Sequence, residues 1–396
     1  MRNILDGIRV LELSRVLAGP LCAMQLAEFG AEIIKVEHPD GGDDTRGWGP
    51  PFHPRTGNSA YFESVNRGKK SVAADFSRDG GGVCKLAARS DVVVENFLPG
   101  ALKKYRLDYD SVRRENPGVV YCSITGYGQT GEWSGRRGYD FIIQGESGLM
   151  ALGGAADGEA YKTGVAVCDI LAGLHAAQAI LAALFRRAGD QKGAHIDISL
   201  FDCAVAALVN VAQASLQTGE PAKRFGNHHP HIVPYGAFFA ADGAFNIAAG
   251  NDRQFAALCE VLQKPQWAKA EEFCDNPRRV ANRDKLVAML NAELRRKPAD
   301  EWLAGLRARG VPAGKVLNVA ETLALPHAKQ RALWREQDGV KLMRAPARFC
   351  GEESPAPSPP PTLGAHTDSV LRDIAGLSAN AAAELRRRNI IGGETQ

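Results

Sequence analysis

The first 38 residues carry a strand, a helix and a second strand in succession, and this order constrains the fold more than any other feature. Segment 7–14 (GIRVLELS) is rich in branched aliphatic residues, 21–31 (LCAMQLAEFGA) is amphipathic, and 32–37 (EIIKVE) is again strand-like. Pro20 suits the first position of the helix between them. Two strands joined through a helix lie parallel, so this segment predicts a βαβ unit in a parallel sheet.

Further strand-like segments repeat the pattern along the chain. Segments 91–97 (DVVVENF) and 119–128 (VVYCSITGYG) contain uninterrupted apolar runs, which are typical of parallel strands buried on both faces. A long amphipathic helix is predicted at 170–187, followed by another strand and helix at 194–219. We therefore expect an α/β fold whose larger part is a Rossmann-like parallel-sheet domain.

The pattern changes after about residue 220. Segment 223–237 (KRFGNHHPHIVPYGA) is irregular, and a hairpin turning at Asp242-Gly243 and three amphipathic helices follow it, up to about residue 308. Segment 351–363 (GEESPAPSPPPTL) is predicted to be an extended, proline-rich linker. The expected domains are a large α/β domain at 1–200 together with 330–396, a linker at 201–225, and a smaller α+β domain at 226–325.

Charge and cysteine content argue against several classes of protein. A net charge of +3 over 396 residues gives little support to a nucleic-acid or membrane-surface role. The longest apolar segment is interrupted by His175 and Gln178, so no membrane span is expected. The start of the chain lacks the apolar core of a signal peptide, which predicts a cytoplasmic protein. Eight cysteines without a CxxC pair predict reduced thiols and no zinc site.

Three familiar site motifs are also absent. The first turn, SRVLAGP, has one glycine where the dinucleotide motif GxGxxG needs three, and Pro20 removes an N–H that would face a phosphate. The histidines of GNHHPHIVPY are interrupted by Pro230 and have no nearby carboxylate, so no metal is expected. The segment GESG at 145–148 is not the GxSxG nucleophile motif.

Three groups of cations follow strand-like segments and allow two interpretations. The groups are Arg67, Lys69 and Lys70; Lys103, Lys104 and Arg106; and Arg136 and Arg137. Each can be ordinary solvated surface charge. Because the carboxyl ends of parallel strands share one crevice, the groups can instead converge on a polyphosphate such as coenzyme A.

Asp169, in the segment KTGVAVCDILAG, lies between a short apolar run and the long helix. It can simply cap that helix by accepting a backbone hydrogen bond. It can also act as a bare carboxylate nucleophile on an activated carbonyl, since no histidine or metal ligand is near it in the sequence. Cys168 is expected to point into the core. A helix N-terminus would lower the pKa of Asp169 and keep it ionised.

The chain as a whole resembles the family III CoA-transferases. The resemblance is carried, in the family's order, by GIRVLELSRVLAGP, GAEIIKVEHPDGGDDTR, NRGKKSVAADF, DVVVENFLPGALKKYRLDY, YCSITGYGQTG, GYDFIIQGESGLMALGG, DILAG, GVPAGKV and PPPTLGAHT. Within the family, VNRGKKS and KRFGNHHPHIVPY are most similar to the succinyl-CoA:glutarate (succinate–hydroxymethylglutarate) CoA-transferases. The resemblance implies an interlocked homodimer, acyl-CoA and a free dicarboxylic acid as substrates, and neither a metal nor a permanently bound cofactor.

The resemblance also implies roles for individual residues, with Asp169 as the catalytic nucleophile. The residues implied to contact coenzyme A are Val16, Leu17, Ala18, His38, Val72, Asp75, Asn96, Phe97, Leu98, Lys104, Arg137 and Tyr139. The candidates for contacting the acyl or acceptor group are Arg15, Tyr139, Arg224, His228, Gly250 and Asn251. Backbone N–H groups near Gly19 or in the loop 248–252 are candidates for stabilising an oxyanion.

Departures from the family pattern narrow the choice of substrate and reaction. Leu17 stands where formyl-CoA transferases have a glutamine, which argues against oxalate and formate. His38 and Lys104 stand where those enzymes have arginines, which implies different phosphate contacts, because lysine and arginine bind phosphate differently. The related acyl-CoA racemases use a histidine where this chain has Tyr139, and a tyrosine hydroxyl with an ordinary pKa near 10 is a poor base. A non-catalytic acyl-CoA-binding protein is the other alternative, and the retained Asp169 and Tyr139 argue against it.

Overall fold

A computed structural model describes residues 4–350 and 358–393 of the chain. Within them the chain forms two compact units, which we describe separately. Of the described residues, unit 1 contains 4–150, 162–219, 329–350 and 358–393, and unit 2 contains 151–161 and 220–328.

The regular elements of the described residues are numbered here in chain order. The strands are β1 Arg9–Glu12, β2 Glu32–Glu37, β3 Lys69–Ala73, β4 Val92–Glu95, β5 Val120–Thr125, β6 Ala194–Ser199, β7 Tyr235–Ala240, β8 Gly243–Ala248, β9 Ala313–Lys315, β10 Trp334–Gln337 and β11 Val340–Met343. The helices are α1 Ala18–Glu28, α2 Ala60–Val65, α3 Gly82–Ala88, α4 Tyr109–Glu115, α5 Asp140–Glu146, α6 Leu149–Leu152, α7 Val167–Asp190, α8 Leu200–Ala206, α9 Val209–Thr218, α10 Asp252–Val261, α11 Asn276–Ala281, α12 Arg283–Leu294, α13 Ala299–Ala308, α14 Val319–Ala324, α15 Pro326–Gln330, α16 Thr367–Asp373 and α17 Ala379–Arg387.

Unit 1 is built on a six-stranded parallel sheet in the order β3-β2-β1-β4-β5-β6. The prediction of an α/β fold with a parallel sheet is confirmed. The chain adds strands outward from β1 in one direction and then, from β4 onward, in the other. The point of reversal between β1 and β4 leaves a crevice at their carboxyl ends, where ligands bind in open α/β sheets.

Both faces of the sheet are buried, which explains the uninterrupted apolar runs. In β4, Val92 and Val94 pack with α1 and α7 on one face. Val93, between them, packs on the other face in a cluster that includes side chains of α3, α4 and α16. Successive side chains of a strand point to opposite faces, so each face of the sheet needs its own apolar residues.

Two helices differ from the predictions at their ends. Helix α1 begins at Ala18, so Pro20 is its third residue, still in the first turn where no N–H is needed for helical bonding. Helix α7 begins at Val167 and ends at Asp190, longer at both ends than predicted. Contrary to expectation, α7 is long and apolar enough to pass as a membrane span, as the core helices of soluble proteins also do. Its buried face packs on α1 and β5 within unit 1.

Unit 2 holds a three-stranded antiparallel sheet, β7-β8-β9, and four helices, α10 to α13, between residues 252 and 308. The predicted hairpin is present, but Ala240 pairs with Gly243, so the turn residues are Ala241 and Asp242 rather than Asp242 and Gly243. Three helices were expected here, and the additional one is the short α11. Apolar side chains of the sheet and these helices form a core of their own.

The two predicted linkers have different outcomes. Residues 201–225 are not a bare connection, because α8 and α9 occupy most of the segment and belong to unit 1. For the proline-rich linker, residues 351–357 lie outside the described part of the chain. Residues 358–362 have no regular secondary structure.

Candidate active site

A cavity of about 290 Å³ lies at the carboxyl ends of β1, β4 and β5, at the reversal point of strand order. It is lined by the turn that leads from β1 into α1, by the loop after β4, by the loops around Gly126 and Gly138, and by the first turn of α7. Asp169 is the lining residue from α7. The sheet topology therefore brings together residues as far apart in sequence as Arg15 and Leu200.

Asp169 is not the residue that caps α7. The N-cap position is Ala166, and Asp169 is the third residue of the helix. The N–H of Cys168 is bound instead by Asp140, whose Oδ1 accepts it at 2.8 Å. Because Asp140 from α5 performs the capping, the Asp169 side chain is available to the cavity that it lines.

The pKa of Asp169 is raised from 3.8 to about 7, chiefly because burial disfavours its charged form. The negative charge of Asp140 raises it further, and a hydrogen bond from the backbone N–H of Ala18 opposes both effects. The expectation that a helix N-terminus would lower this pKa is therefore wrong.

Asp140 is itself held in place by Gln144, which is buried one turn further along α5. The Gln144 amide donates to Asp140 Oδ2 at 2.6 Å, and its oxygen accepts the N–H of Thr163 at 2.9 Å. These bonds tie α5 to the segment that enters α7. They fix the first turn of α7, and with it the position of Asp169.

Two aromatic residues at or near the cavity, Trp48 and Tyr61, were missed in the sequence. Tyr61 has its pKa raised to about 12, first by burial and then by the charges of Asp169 and Asp140, which places its hydroxyl within electrostatic range of both. The Tyr61 ring packs edge-on against Trp48, with ring centroids 5.3 Å apart, and Trp48 lines the cavity. No motif marked either residue, because segment 44–63 has no clear periodicity.

The turn between β1 and α1 is held by Asn96, which was expected to contact coenzyme A. Its side-chain oxygen accepts the N–H of Arg15 at 3.0 Å, and its amide donates to the Arg15 carbonyl at 2.7 Å. Both ends of the Asn96 amide thus bind backbone of the first turn. Asn96 lines the cavity, but its side chain is engaged in ordering the neighbouring loop.

Two glycines allow α1 to come close to its neighbours. A Cβ atom on Gly19 would lie 2.2 Å from Ser14 Oγ, and one on Gly173 would lie 2.7 Å from the Ala18 carbonyl oxygen. Gly173 is one helical turn after Asp169. Its lack of a side chain lets the first turns of α7 approach the start of α1, and this approach brings Asp169 to the Ala18 N–H.

The cations of the cavity differ in how they are paired. Arg15 lies 3.1 Å from Asp44, and Arg136 lies 2.8 Å from Glu146 with its guanidinium stacked over Trp133. Arg137 also lines the cavity, and no hydrogen bond or ion pair to it is found within the described residues. Arg137 is therefore available to bind an anionic ligand.

The first of the three predicted basic groups does not form an anion site. Arg67 and Lys69 are buried, and they pair with Glu28 and Glu12 respectively. Burial lowers the pKa of Lys69 to about 8, and Glu12 opposes that effect. Lys70 pairs with Glu32 at 2.6 Å. Arg67 and Lys69 therefore belong to the interior of unit 1, whereas the Lys70 side chain is partly exposed.

The predicted coenzyme-contacting residues fall into two sets. Those that line the cavity are Val16, Ala18, Asn96, Phe97, Leu98, Arg137 and Tyr139, together with the substrate candidate Arg15. The others, Leu17, His38, Val72, Asp75 and Lys104, are described but are not among the lining residues. Leu17 and Val72 have buried side chains, and His38 and Lys104 are exposed. Asp75 accepts hydrogen bonds from the backbone and hydroxyl of Ser77.

The remaining substrate candidates are in unit 2. The Arg224 guanidinium donates to three backbone carbonyls, the shortest bond being 2.6 Å to Gly158. His228 is half-buried against Gly236, and burial lowers its pKa. The Gly250 N–H donates to Gln254, and Asn251 caps α10. All four therefore have structural roles within unit 2.

Within residues 4–350 and 358–393, no group of three or more His, Cys, Asp or Glu side chains is arranged to hold a metal ion. The chemistry that the cavity itself offers is that of a carboxylate beside a backbone N–H, with cations at its rim.

Comparisons with a family model and with known proteins identify the same family. Residues 5–367 match the model of CoA-transferase family III. The chain is 40% identical to a succinate–glutarate CoA-transferase of Agrobacterium fabrum, over 95% of this chain and 97% of that one. It is also 40% identical to a succinyl-CoA:glutarate CoA-transferase of Mus musculus, over 98% of this chain and 90% of that one.

A solved structure gives the same result. The crystal structure of a CAIB/BAIF family protein from Brucella suis superposes with a TM-score of 0.87 at 45% identity, covering 94% of this chain and all of that one. The chain belongs to the family III CoA-transferases.

Proposed function

We propose that this enzyme transfers CoA from an acyl-CoA, succinyl-CoA in the first instance, to a free dicarboxylic acid such as glutarate or hydroxymethylglutarate. The observation that carries the proposal is the position of Asp169, a carboxylate with a raised pKa in a cavity at the reversal point of the sheet. The names of the two relatives support a dicarboxylate pair.

The proposed reaction uses the Asp169 carboxylate as a covalent carrier. An Asp169 oxygen attacks the thioester carbonyl, the C–S bond breaks, and a mixed anhydride and CoA thiolate result. The thiolate then attacks the aspartyl carbonyl, which releases the donor acid and leaves an aspartyl-CoA thioester. The acceptor carboxylate attacks this thioester and expels the thiolate. Attack of the thiolate on the acceptor's acyl carbon then gives the new acyl-CoA and restores Asp169.

Each attack develops negative charge on a carbonyl oxygen beside the start of α1. The Ala18 N–H already binds the Asp169 carboxylate, so it is placed to stabilise the oxyanion when the aspartyl carbonyl is attacked. Partial burial withholds water from the carboxylate, which makes its ionised form a better nucleophile. Proximity supplies much of the rest of the acceleration.

The cations at the rim of the cavity are assigned to the anionic parts of the substrates. Arg137 is the first candidate for the distal carboxylate of a dicarboxylate, because its guanidinium lines the cavity without a partner among the described residues. A guanidinium binds a carboxylate through two parallel hydrogen bonds. Arg15 and Arg136 would first have to leave Asp44 and Glu146.

The test of the nucleophile is replacement of Asp169 by alanine and by asparagine. Both variants should remain folded and lose transfer from succinyl-CoA by at least about a thousandfold, since neither alanine nor asparagine can form the anhydride. Wild-type enzyme incubated with succinyl-CoA and then with hydroxylamine should gain a hydroxamate at Asp169, detected by peptide mass spectrometry. Retention of a tenth of wild-type turnover by either variant would rule out this mechanism.

The acceptor is identified by offering a panel of mono- and dicarboxylic acids with succinyl-CoA and weighing the CoA esters formed. A preference for monocarboxylates would contradict the dicarboxylate assignment while leaving the transfer mechanism in place. Binding of CoA without any exchange between labelled succinate and succinyl-CoA would favour the non-catalytic alternative. The cytoplasmic location and the homodimer stay predictions, the latter to be measured by light scattering.

A further inference from the structure

The turn between β1 and α1 has its backbone bound by two buried charged side chains that the proposed mechanism does not use. The Lys35 ammonium donates to the Ser14 carbonyl at 2.9 Å. The Asp43 carboxylate accepts the Val16 N–H, with both oxygens at 3.3 Å. Lys35 and Asp43 also pair with each other at 2.9 Å.

Val16 needs such support because its backbone is strained. Its φ is +72°, in the left-handed region that a β-branched side chain rarely adopts. A residue held in this region is strained, and the surrounding structure must offset that strain. The bond from Val16 to Asp43 directly opposes relaxation, because a change in φ at Val16 turns the peptide plane that carries its N–H.

The pair is built to stay charged and in place. Lys35 and Asp43 are 1% and 3% exposed. The three protons of the Lys35 ammonium have three acceptors, namely Glu12 Oε1, the Ser14 carbonyl and Asp43 Oδ2. Burial alone would lower the pKa of Lys35, but Glu12 and Asp43 outweigh it and raise the pKa. Thr45 adds two hydrogen bonds to Asp43 Oδ1.

The strained residue stands two positions before the N–H that faces the nucleophile. Val16 and Ala18 both line the cavity, and the Ala18 N–H binds Asp169. We propose that Asp43, held by Lys35, is a positioning residue for acyl transfer, which keeps Val16 in its left-handed conformation so that the Ala18 N–H points at Asp169. This inference rests on the proposed function.

The test combines Asp43→Asn with Val16→Gly. Asp43→Asn should lower kcat by about 10- to 100-fold, because a shift of about 1 Å in a group at the reacting centre has that effect. KM for succinyl-CoA should change by less than about threefold, since few substrate contacts are lost. Glycine adopts a left-handed conformation without strain. In the Val16→Gly background, the same Asp43→Asn change should therefore lower kcat by less than about threefold.

A matched control separates positioning from a general loss of stability. Glu28→Gln removes the buried ion pair with Arg67, which also involves α1 but does not contact the turn. This variant should lower the melting temperature without changing kcat. A crystal structure of Asp43→Asn gives a readout that does not depend on activity, and there Val16 should have a negative φ and the Ala18 N–H should no longer point at Asp169.

The outcomes distinguish the inference from the proposed function. If the wild type transfers no CoA, the proposed function is wrong, and the crystal structure still tests the conformational part. If the wild type is active, two results would show that the positioning role is wrong. One is a kcat of Asp43→Asn equal to that of the wild type. The other is a loss of kcat on Asp43→Asn that is as large in the Val16→Gly background as in the wild-type background. Should Asp43→Asn fail to fold, Asp43→Glu retains the charge beside Lys35, moves the oxygens by one methylene, and should show the same loss of kcat.

Discussion

Replacing Asp169, the proposed nucleophile, by its uncharged isostere asparagine should make the protein more stable as well as inactive. The pKa of Asp169 is about 7 in the folded chain against an ordinary value of 3.8, mainly through burial. This difference of about three pKa units corresponds to about 4 kcal/mol, at about 1.36 kcal/mol for each unit. Asp169→Asn removes that cost, while its side-chain oxygen can still accept the hydrogen bond from Ala18. We expect a gain of about 2–4 kcal/mol in the free energy of unfolding at pH 8.

The sign and the pH range of this effect follow from proton binding. Between about pH 4 and pH 7, Asp169 is protonated in the folded protein and ionised in the unfolded chain, so folding takes up a proton. The stability of the wild type relative to Asp169→Asn therefore falls as pH rises through this range. Above the folded pKa both states are ionised, and the difference between the two proteins becomes constant.

The measurement is urea unfolding of both proteins at pH 5, 6, 7 and 8, monitored by tryptophan fluorescence. The advantage of Asp169→Asn should be smallest at pH 5 and should reach its full value by pH 8. Asp40→Asn, at an exposed position of unit 1, is the control for the loss of one negative charge. A stability difference that is the same at all four pH values would refute the assignment of a buried carboxylate with a raised pKa.

Three further predictions concern the reaction. The rate constant kcat/KM should rise with pH along a limb near pH 7, because only ionised Asp169 attacks. Asp140→Asn should move this limb to lower pH, because it removes a negative charge that raises the pKa of Asp169. A limb that stays at the same pH in Asp140→Asn would contradict this coupling. Gly173→Ala should lower kcat by about 10- to 100-fold, because its Cβ atom would press on the Ala18 carbonyl. Gly189→Ala, in the same helix, is the control: its Cβ atom would meet no atom within 4 Å, so kcat should not change. Arg137→Gln should raise KM about 10- to 100-fold for dicarboxylate acceptors but not for monocarboxylates, because one charge-assisted contact with the distal carboxylate is lost. An equal rise in KM for both classes of acid would instead assign Arg137 to the binding of coenzyme A.

The parallel sheet was predictable because the information for it is local. Each strand and its following helix are marked by apolar periodicity, and β4, with valines on both faces, can only be buried on both sides. The ends of the elements were less predictable. Helix α1 begins at Ala18 rather than at Pro20, because its start depends on a turn whose conformation is imposed by Asn96, about 80 residues away.

The sequence singled out Asp169, which does line the cavity, but it did not show which residues surround it. An aspartate at the start of a helix can be interpreted as a helix cap or as a reactive carboxylate. Which interpretation applies to Asp169 depends on Asp140, which caps α7 from another helix. Lys35 and Lys69 stand in segments that also fit a solvated surface, yet both are fully buried in ion pairs. Burial of a lysine depends on carboxylates brought by other strands, and the sequence around the lysine does not show it.

The pKa of about 7 is best understood as a compromise set by the enclosing residues. A carboxylate with the ordinary pKa would be fully ionised at neutral pH but weakly basic, and nucleophilicity in such reactions increases with basicity. Burial and Asp140 raise the basicity of Asp169, while the Ala18 N–H limits the rise, so that a large fraction remains ionised near pH 7. A stronger bond from Ala18 would increase the ionised fraction and weaken the nucleophile. Under the positioning role that we propose for Asp43, a change in the conformation of Val16 should therefore alter the reactivity of Asp169 as well as its geometry.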